Sequence, residues 1–261
     1  MKLQNVFVQV LWVVLLAVLL LGVPRLAGLF ADLFDYSAID PDGAFMWISV
    51  HHIVQALVFL VLMLVIVKVS AKAAVIRFGF GWGDREEGLS YLRLFVLIFM
   101  VYALVHRLIV LVLTGSLPVF WHPLTARNII GQLGFQLLLS GPSEELIFRG
   151  FAITMLGLVV KGVVAGEETG AGHPITKMFG GSITAANLIA AVIFGLAHVR
   201  FAFAPFAATF DTGQVIVSVI LGLFYGVCYE RSKSMIYPMI MHSFSNVVVV
   251  SMSIIAGFAL G

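Results

Sequence analysis

Long apolar runs, separated by short polar stretches, form most of the chain. A helix that crosses the hydrocarbon core of a bilayer needs about 20 mostly apolar residues. Seven runs approach or exceed that length: 6–23, 45–67, 94–113, 128–160, 182–199, 213–229 and 235–258. The pattern predicts an all-α, polytopic membrane helical bundle of seven transmembrane helices, or eight if residues 128–160 or the first loop contain a further short span.

The apolar run 128–160 is too long for one straight span. As a continuous helix it would rise about 50 Å, against a hydrocarbon core of about 30 Å. Gly141-Pro142 lies inside it, and proline suits the first turn of a helix. We therefore expect the helix to break at this dipeptide and a new helix to begin there.

Composition supports the membrane assignment and narrows the remaining classes. Hydrophobic residues make up 61% of the 261 residues and charged residues 11%, whereas a soluble domain carries about 25% charged residues. The formal net charge of +2 gives no reason to expect a nucleic-acid partner, and the one cysteine, Cys228, cannot form an internal disulfide. We expect one continuous membrane domain.

The basic residues predict an orientation, because lysine and arginine favour the cytoplasmic side of a membrane. With the N-terminus in the cytoplasm, ten of them fall inside: Lys2, Lys68, Lys72, Arg77, Arg85, Arg93, Lys161, Lys177, Arg231 and Lys233. Four then fall outside: Arg25, Arg107, Arg127 and Arg200. The asymmetry favours a cytoplasmic N-terminus.

Two adjacent glutamates interrupt the apolar run 128–160, where a charge costs about 2.5–3.5 kcal/mol on insertion scales. Arg149 follows Glu145 by one helical turn, a spacing that suits an ion pair, while Glu144 points about 100° away. We expect Arg149 to hold Glu145 and Glu144 to be free for acid–base chemistry. The alternative is that Glu145 and Arg149 form a structural clamp alone.

Two later apolar runs also carry polar residues at helical spacing. Phe194 and His198 are four residues apart, and so are His242 and Asn246, so each pair shares one helix face. His242 and Asn246 either hold an oxyanion or join two helices by hydrogen bonds. If the three polar segments face a common intramembrane cavity, they supply a base, an orienting partner and oxyanion donors for attack of water on an amide.

Together these motifs resemble a known family. Glu144-Glu145-x-x-x-Arg149, Phe194-x-x-x-His198 and His242-x-x-x-Asn246, in this order, are similar to the signature of the CPBP family, which includes type II CAAX prenyl endopeptidases and bacteriocin-processing or Abi-type proteins. The resemblance divides the chain into N-terminal transmembrane helices, 1–125, and a catalytic core, 126–261.

The resemblance implies an intramembrane protease, a hydrolase that activates water with a glutamate and needs no cofactor. The roles it implies are water activation by Glu144 and His198, oxyanion stabilisation by His242 and Asn246, and support by Glu145 and Arg149. Its partners would be the lipid bilayer and a peptide or protein substrate, either membrane-associated or prenylated. A multi-pass protein of this kind would lie in the plasma membrane if the source is prokaryotic.

Two alternatives remain open from the residues. Glu144, His198 and His242 are of types that zinc accepts, so the same residues would also serve a zinc-dependent intramembrane protease. A non-catalytic membrane scaffold or immunity protein with a polar core is the other alternative. No serine nucleophile elbow and no His-Glu-x-x-His helix is present in the sequence.

Other polar and small residues in the apolar runs favour simpler interpretations. His51-His52 and His106-Arg107 are typical of interfacial or helix-packing groups, although they could also line the cavity. Gly222 and Gly226 form a Gly-x-x-x-Gly pattern, which predicts close approach of two helices.

Overall fold

A computed structural model of the protein describes residues 2–70, 76–161, 174–178, 181–203 and 206–260. The described chain is predominantly helical. Its helices are α1 (Lys2–Ala31), α2 (Met46–Val69), α3 (Arg85–Thr114), α4 (Ala126–Phe135), α5 (Gly141–Glu145), α6 (Thr154–Lys161), α7 (Ala185–Ala197), α8 (Thr212–Ser232) and α9 (Ile236–Leu260). Two π-helical turns, Gln136–Ser140 and Leu146–Ile153, join α4 to α5 and α5 to α6.

Within the described ranges, five helices are long and apolar enough to cross a membrane: Val6–Ala31, Met46–Val69, Arg85–Thr114, Thr212–Ser232 and Ile236–Leu260. The predicted count of seven to eight is therefore not confirmed. α7 has only 13 residues, and residues 126–161 are divided among α4 to α6 and the two π turns. With this number of long apolar helices, the chain is an integral membrane protein.

The predicted break at Gly141-Pro142 is wrong, because the helical backbone continues through it. Ser140 and Gly141 both keep right-handed helical dihedrals, with φ/ψ of −58/−65° and −56/−53°. Proline has no backbone N–H to donate, and the wider π turn that precedes it carries the helix past this defect. The carbonyl of Leu137 in that turn accepts a hydrogen bond from Ser243 Oγ at 2.9 Å.

Side-chain caps fix several helix starts. Asp84, Thr125, Thr184 and Asp211 each accept a hydrogen bond from a backbone N–H in the first turn of α3, α4, α7 and α8. Asp40, in the loop after α1, accepts three backbone N–H bonds at the start of α2, from Ala44, Phe45 and Met46. Burial raises the pKa of Asp40, but these hydrogen bonds outweigh it and hold the pKa below its ordinary value.

Two short β-hairpins, which the hydrophobic pattern did not predict, lie between the helices of the C-terminal half. β1 (Pro174–Met178) pairs antiparallel with β2 (Gly181–Thr184), and β3 (Arg200–Phe203) with β4 (Phe206–Thr209). Arg25 of α1 donates to the carbonyls of Val199 and Phe201, at 3.2 and 3.4 Å. This contact fixes the end of α7 against α1.

Small residues let the C-terminal helices approach closely, as the Gly-x-x-x-Gly pattern predicts. A Cβ on Gly222 would lie 3.2 Å from Ala191 of α7, and one on Gly226 would lie 1.8 Å from Asn187 Oδ1. Asn187 Nδ2 in turn donates to the carbonyl of Leu223 at 3.1 Å. A Cβ on Gly141 would lie 2.7 Å from the backbone N of Ser243, so α5 and α9 are equally close.

We predict that Gly226→Ala destabilises the protein, by about 1–3 kcal/mol as is typical of overpacking. The added methyl group would displace Asn187 and break its bond to α8. Gly134→Ala is the matched control, since nothing lies within 4 Å of a Cβ at that position, and it should be neutral or slightly stabilising. Thermal unfolding of the purified variants in detergent measures the difference, and equal midpoints for the two variants would contradict the packing.

Candidate active site

Glu144 and Glu145, at the end of α5, occupy different surroundings. Glu145 is completely buried, whereas the side chain of Glu144 keeps 19% of its accessible surface. Successive residues of a helix point about 100° apart, so the two carboxylates face different neighbours. The positions of the other site residues follow from the different directions in which these two side chains point.

Glu145 is held by a cation. Its Oε2 lies 2.9 Å from Nε of Arg149, one turn later, so the expected ion pair is present although Arg149 is only 1% exposed. The Arg149 guanidinium lies between two aromatic rings, 4.7 Å from the centroid of Phe194 on α7 and 5.3 Å from that of Tyr225 on α8. Its Nη atoms have no hydrogen-bond partner among the described residues, so the ion pair and the ring faces compensate its charge.

Glu145 also orients His242 of α9. His242 Nδ1 lies 2.7 Å from Glu145 Oε1. An ionised carboxylate can only accept, so Nδ1 donates and Nε2 is left facing the other side of the ring. The imidazole stacks on Tyr225 at 5.5 Å and meets the edge of Phe194 at 5.9 Å, and these contacts fix its plane.

Glu144 lies between two imidazoles. Its Oε2 is 3.8 Å from His242 Nε2, and its Oε1 is 3.8 Å from His52 Nε2. Both separations exceed a direct hydrogen bond, so neither ring occupies the lone pairs of the carboxylate. His198 and Arg149 also interact with Glu144 electrostatically. Glu144 is therefore a partly accessible carboxylate, and the rings around it leave its lone pairs free. A general base that binds water requires such free lone pairs.

His198 directly follows α7 and is half-buried. Its Nδ1 donates to the carbonyl of Phe194 at 2.9 Å, since a carbonyl can only accept. The neutral ring therefore carries its free lone pair on Nε2. Among the described residues His198 makes no contact of 4 Å or less with Glu144, so the two residues predicted to activate water are neighbours without a direct bond.

Asn246 lies one turn after His242 on α9, and its Nδ2 donates to Ser140 Oγ at 3.0 Å. Ser140 ends the first π turn, directly before α5. Asn246 is thus tied to the segment that carries Glu144. The structure therefore gathers Glu144, Glu145, Arg149 and His242 in one contact network, with Asn246 joined through Ser140 and His198 beside it.

The sequence analysis missed His52, which was interpreted as an interfacial or packing group. It is 6% exposed and lies against Glu144. A signal was available: His52 and Gln55 are three residues apart on one face of an apolar run, and Gln55 Nε2 lies 3.1 Å from His52 Nδ1. Two polar groups on one face of a spanning helix indicate a buried polar contact.

The residues of the zinc alternative come from three elements. Glu144 of α5 lies 3.8 Å from His242 of α9, and His198 directly follows α7. Within the parts of the chain that the structure describes, no three histidine, cysteine, aspartate or glutamate side chains are grouped as a metal site.

The site coincides with a family match. Residues 126–248 match the family model described as Type II CAAX prenyl endopeptidase Rce1-like. The resemblance inferred from the three motifs is therefore confirmed over that segment, which includes α4 to α8 and the first half of α9. Comparisons with curated proteins and with solved structures found no significant match.

We predict that Arg149→Met destabilises the fold by about 3–5 kcal/mol, because it leaves the Glu145 carboxylate buried without a compensating charge. Arg149→Met/Glu145→Gln removes both charges and keeps a neutral acceptor for His242, so it should recover most of that loss. Thermal unfolding in detergent measures both variants. A single variant as stable as the double variant would show that the ion pair is not what compensates Glu145.

Proposed function

We propose that this chain, whose residues 126–248 are of the Rce1-like type II CAAX prenyl endopeptidase family, is an intramembrane endopeptidase that hydrolyses a peptide bond with water activated by Glu144. The observation that carries the proposal is the position of Glu144. It is the one carboxylate of the pair that keeps accessible surface, and it faces the Nε2 atoms of His242 and His52.

In this mechanism Glu144 acts as general base. It takes a proton from water while the oxygen attacks the carbonyl carbon, forming a tetrahedral intermediate with a negatively charged oxygen. The C–N bond then breaks, and the proton on Glu144 passes to the leaving nitrogen. His198, with its Nε2 lone pair free, accepts a hydrogen bond from the same water and orients it.

His242 and Asn246 stabilise the oxyanion. To donate from Nε2, His242 must carry protons on both nitrogens. Glu145 Oε1 accepts from Nδ1, as a carboxylate does behind a catalytic histidine, and so holds Nε2 towards the site. Glu145 is thus a positioning residue, and Arg149 holds its other oxygen. Asn246 supplies the second donor from one turn away.

The substrate is a peptide or protein, as the family implies. The family is one of CAAX prenyl endopeptidases, and we carry a preference for prenylated CAAX sequences over as part of the proposal. Leu137 and Leu138, on the π turn next to the site, are exposed, and in a bilayer such side chains meet lipid. We infer that a lipid-modified C-terminus approaches Glu144 from that side.

We predict that Glu144→Gln leaves a folded protein whose cleavage rate falls by about 10²–10⁴-fold, the usual contribution of a general base. The assay uses purified protein and two probes, a farnesylated CAAX peptide and the same peptide without the lipid. Glu86→Gln, at an exposed acid in the first turn of α3, is the matched control and should cleave normally.

Three results would overturn the proposal: retained turnover in Glu144→Gln, no turnover of either peptide by the wild type, or stoichiometric zinc with chelator-sensitive cleavage. The last would favour the zinc-dependent alternative, and a membrane phenotype that survives Glu144→Gln would favour a scaffold.

We predict that Asn246→Ala lowers kcat by about 10²–10³-fold with little change in KM, because the oxyanion donor acts only in the transition state. Ser140→Ala, which removes the partner of Asn246 Nδ2 but not the amide itself, should cost less. Steady-state kinetics with the better of the two peptides separates the effects, and a rise in KM alone for Asn246→Ala would assign Asn246 to substrate binding instead.

A further inference from the structure

His52 belongs to α2, outside the segment that matches the family, yet it reaches the candidate site. Its Nε2 lies 3.8 Å from Glu144 Oε1, the same distance that separates His242 Nε2 from Oε2. The His52 side chain is only 7% exposed. An imidazole buried in a spanning helix needs a polar partner on each nitrogen, and Glu144 is the group that Nε2 faces.

The other nitrogen of His52 is fixed by the segment that carries Glu144. Nδ1 lies 2.7 Å from Ser143 Oγ, and Ser143 Oγ donates its one proton to the carbonyl of Ser140 at 3.1 Å. Gln55 Nε2 lies 3.1 Å from the same nitrogen, so a hydroxyl and an amide together hold the Nδ1 side of the ring. The ring packs edge-to-face on Phe135 at 4.9 Å, so its orientation is set on both the polar and the apolar side.

The two oxygens of Glu144 therefore face rings that different helices hold. His242 of α9 is held at Nδ1 by the buried Glu145 carboxylate and faces Oε2. His52 of α2 is held at Nδ1 by Ser143 and Gln55 and faces Oε1. Each oxygen thus lies against a ring that is fixed on its far side.

We propose that His52 is a positioning residue for the reaction, and this inference rests on Glu144 being the base of the proposed function. Its Nε2 faces Oε1 and holds that side of the carboxyl in place, while Oε2 faces His242. Glu144 itself takes the proton from water and passes it to the leaving nitrogen, so no net proton is gained or lost.

The same contacts join His52 to the oxyanion donor. Ser140 accepts from Ser143 at its carbonyl and from Asn246 at its hydroxyl. A continuous chain of hydrogen bonds therefore runs from α2 through the end of the π turn to α9. His52 sets the orientation of Glu144 from one end of this chain, and Asn246 forms the other end.

Two amide substitutions distinguish this role from a structural one. In His52→Asn the amide takes the place of Nδ1, so the bond to Ser143 is kept and the contact with Glu144 is lost. In His52→Gln the amide takes the place of Nε2, so the contact with Glu144 is kept. We expect kcat to fall about 100-fold in His52→Asn, as for a misplaced catalytic group, and about 10-fold or less in His52→Gln, with KM unchanged in both.

The matched control is the same pair of substitutions at His106 of α3, an exposed ring that lies tilted against Tyr102, with the ring centroids 5.7 Å apart. Both His106 variants should keep wild-type kcat. His52→Asn equal to or faster than His52→Gln would overturn the inference, since it would assign His52 to the Ser143 contact alone. Wild-type kcat in both His52 variants, with Glu144→Gln inactive, would overturn it while leaving the proposed function intact.

Ser143→Ala decides the question if the His52 variants fail to fold. It removes the hydroxyl that contacts Nδ1 without changing His52, and it should lower kcat about 10-fold at unchanged KM, as the loss of a supporting hydrogen bond does. Wild-type kcat in Ser143→Ala would then overturn the inference. Cleavage by Glu144→Gln would instead defeat the proposed function itself.

Discussion

A buried ion pair between Glu145 and Arg149 is the interaction on which the rest of the site depends. Neither residue has appreciable exposed surface, and an uncompensated charge at such a position would cost several kcal/mol. Its compensation recruits other helices: Phe194 of α7 and Tyr225 of α8 face the guanidinium, and His242 of α9 bonds the carboxylate. The contacts that compensate this one buried pair therefore bring together the helices that carry the three polar motifs. The aromatic rings that cover Arg149 also fix the plane of His242.

Because Glu145 is committed to this pair, its neighbour Glu144 is free for chemistry. The two glutamates are adjacent in the same turn of helix, yet their surroundings differ. Glu145 is paired with Arg149, whereas Glu144 is partly accessible between two imidazoles. The π turns on either side of α5 contribute to this arrangement. The first lets the helix pass Pro142 without breaking and presents the Leu137 carbonyl to Ser243, which holds α5 against α9 at a distance that only Gly141 permits. Such π-helical turns are frequent at functional sites.

Much of this arrangement follows from local sequence. Apolar runs gave α2, α8 and α9 to within a few residues. α1 ends eight residues later than predicted, at Ala31, and α3 begins nine residues earlier, at Arg85, where Asp84 caps it. Helical spacing gave the Glu145–Arg149 pair, since a four-residue separation is a local property. The continuous helix through Gly141-Pro142 could not be predicted, because a π turn depends on contacts with α9. The two hairpins were not predicted, because strands of four or five residues are too short to show an alternation of polar and apolar residues. His52 was missed because its partner Glu144 lies far away in the sequence. Its spacing to Gln55 indicates a buried polar contact but not the group that the other face of the ring meets.

The position of His52 joins the N-terminal part of the chain to the candidate site in the C-terminal part. The family match begins at residue 126, and the predicted division at 125/126 assigns all the chemistry to the C-terminal part. Yet one of the two imidazoles that face Glu144 comes from α2, and its orientation is set by Ser143, the residue directly before Glu144. α2 also packs its Phe59 on Phe151 of the second π turn, at 5.0 Å. The N-terminal helices are therefore more than membrane spans beside the matched segment. α2 closes one side of the carboxylate on which the proposed reaction depends, and without it Glu144 would lose the ring that faces Oε1.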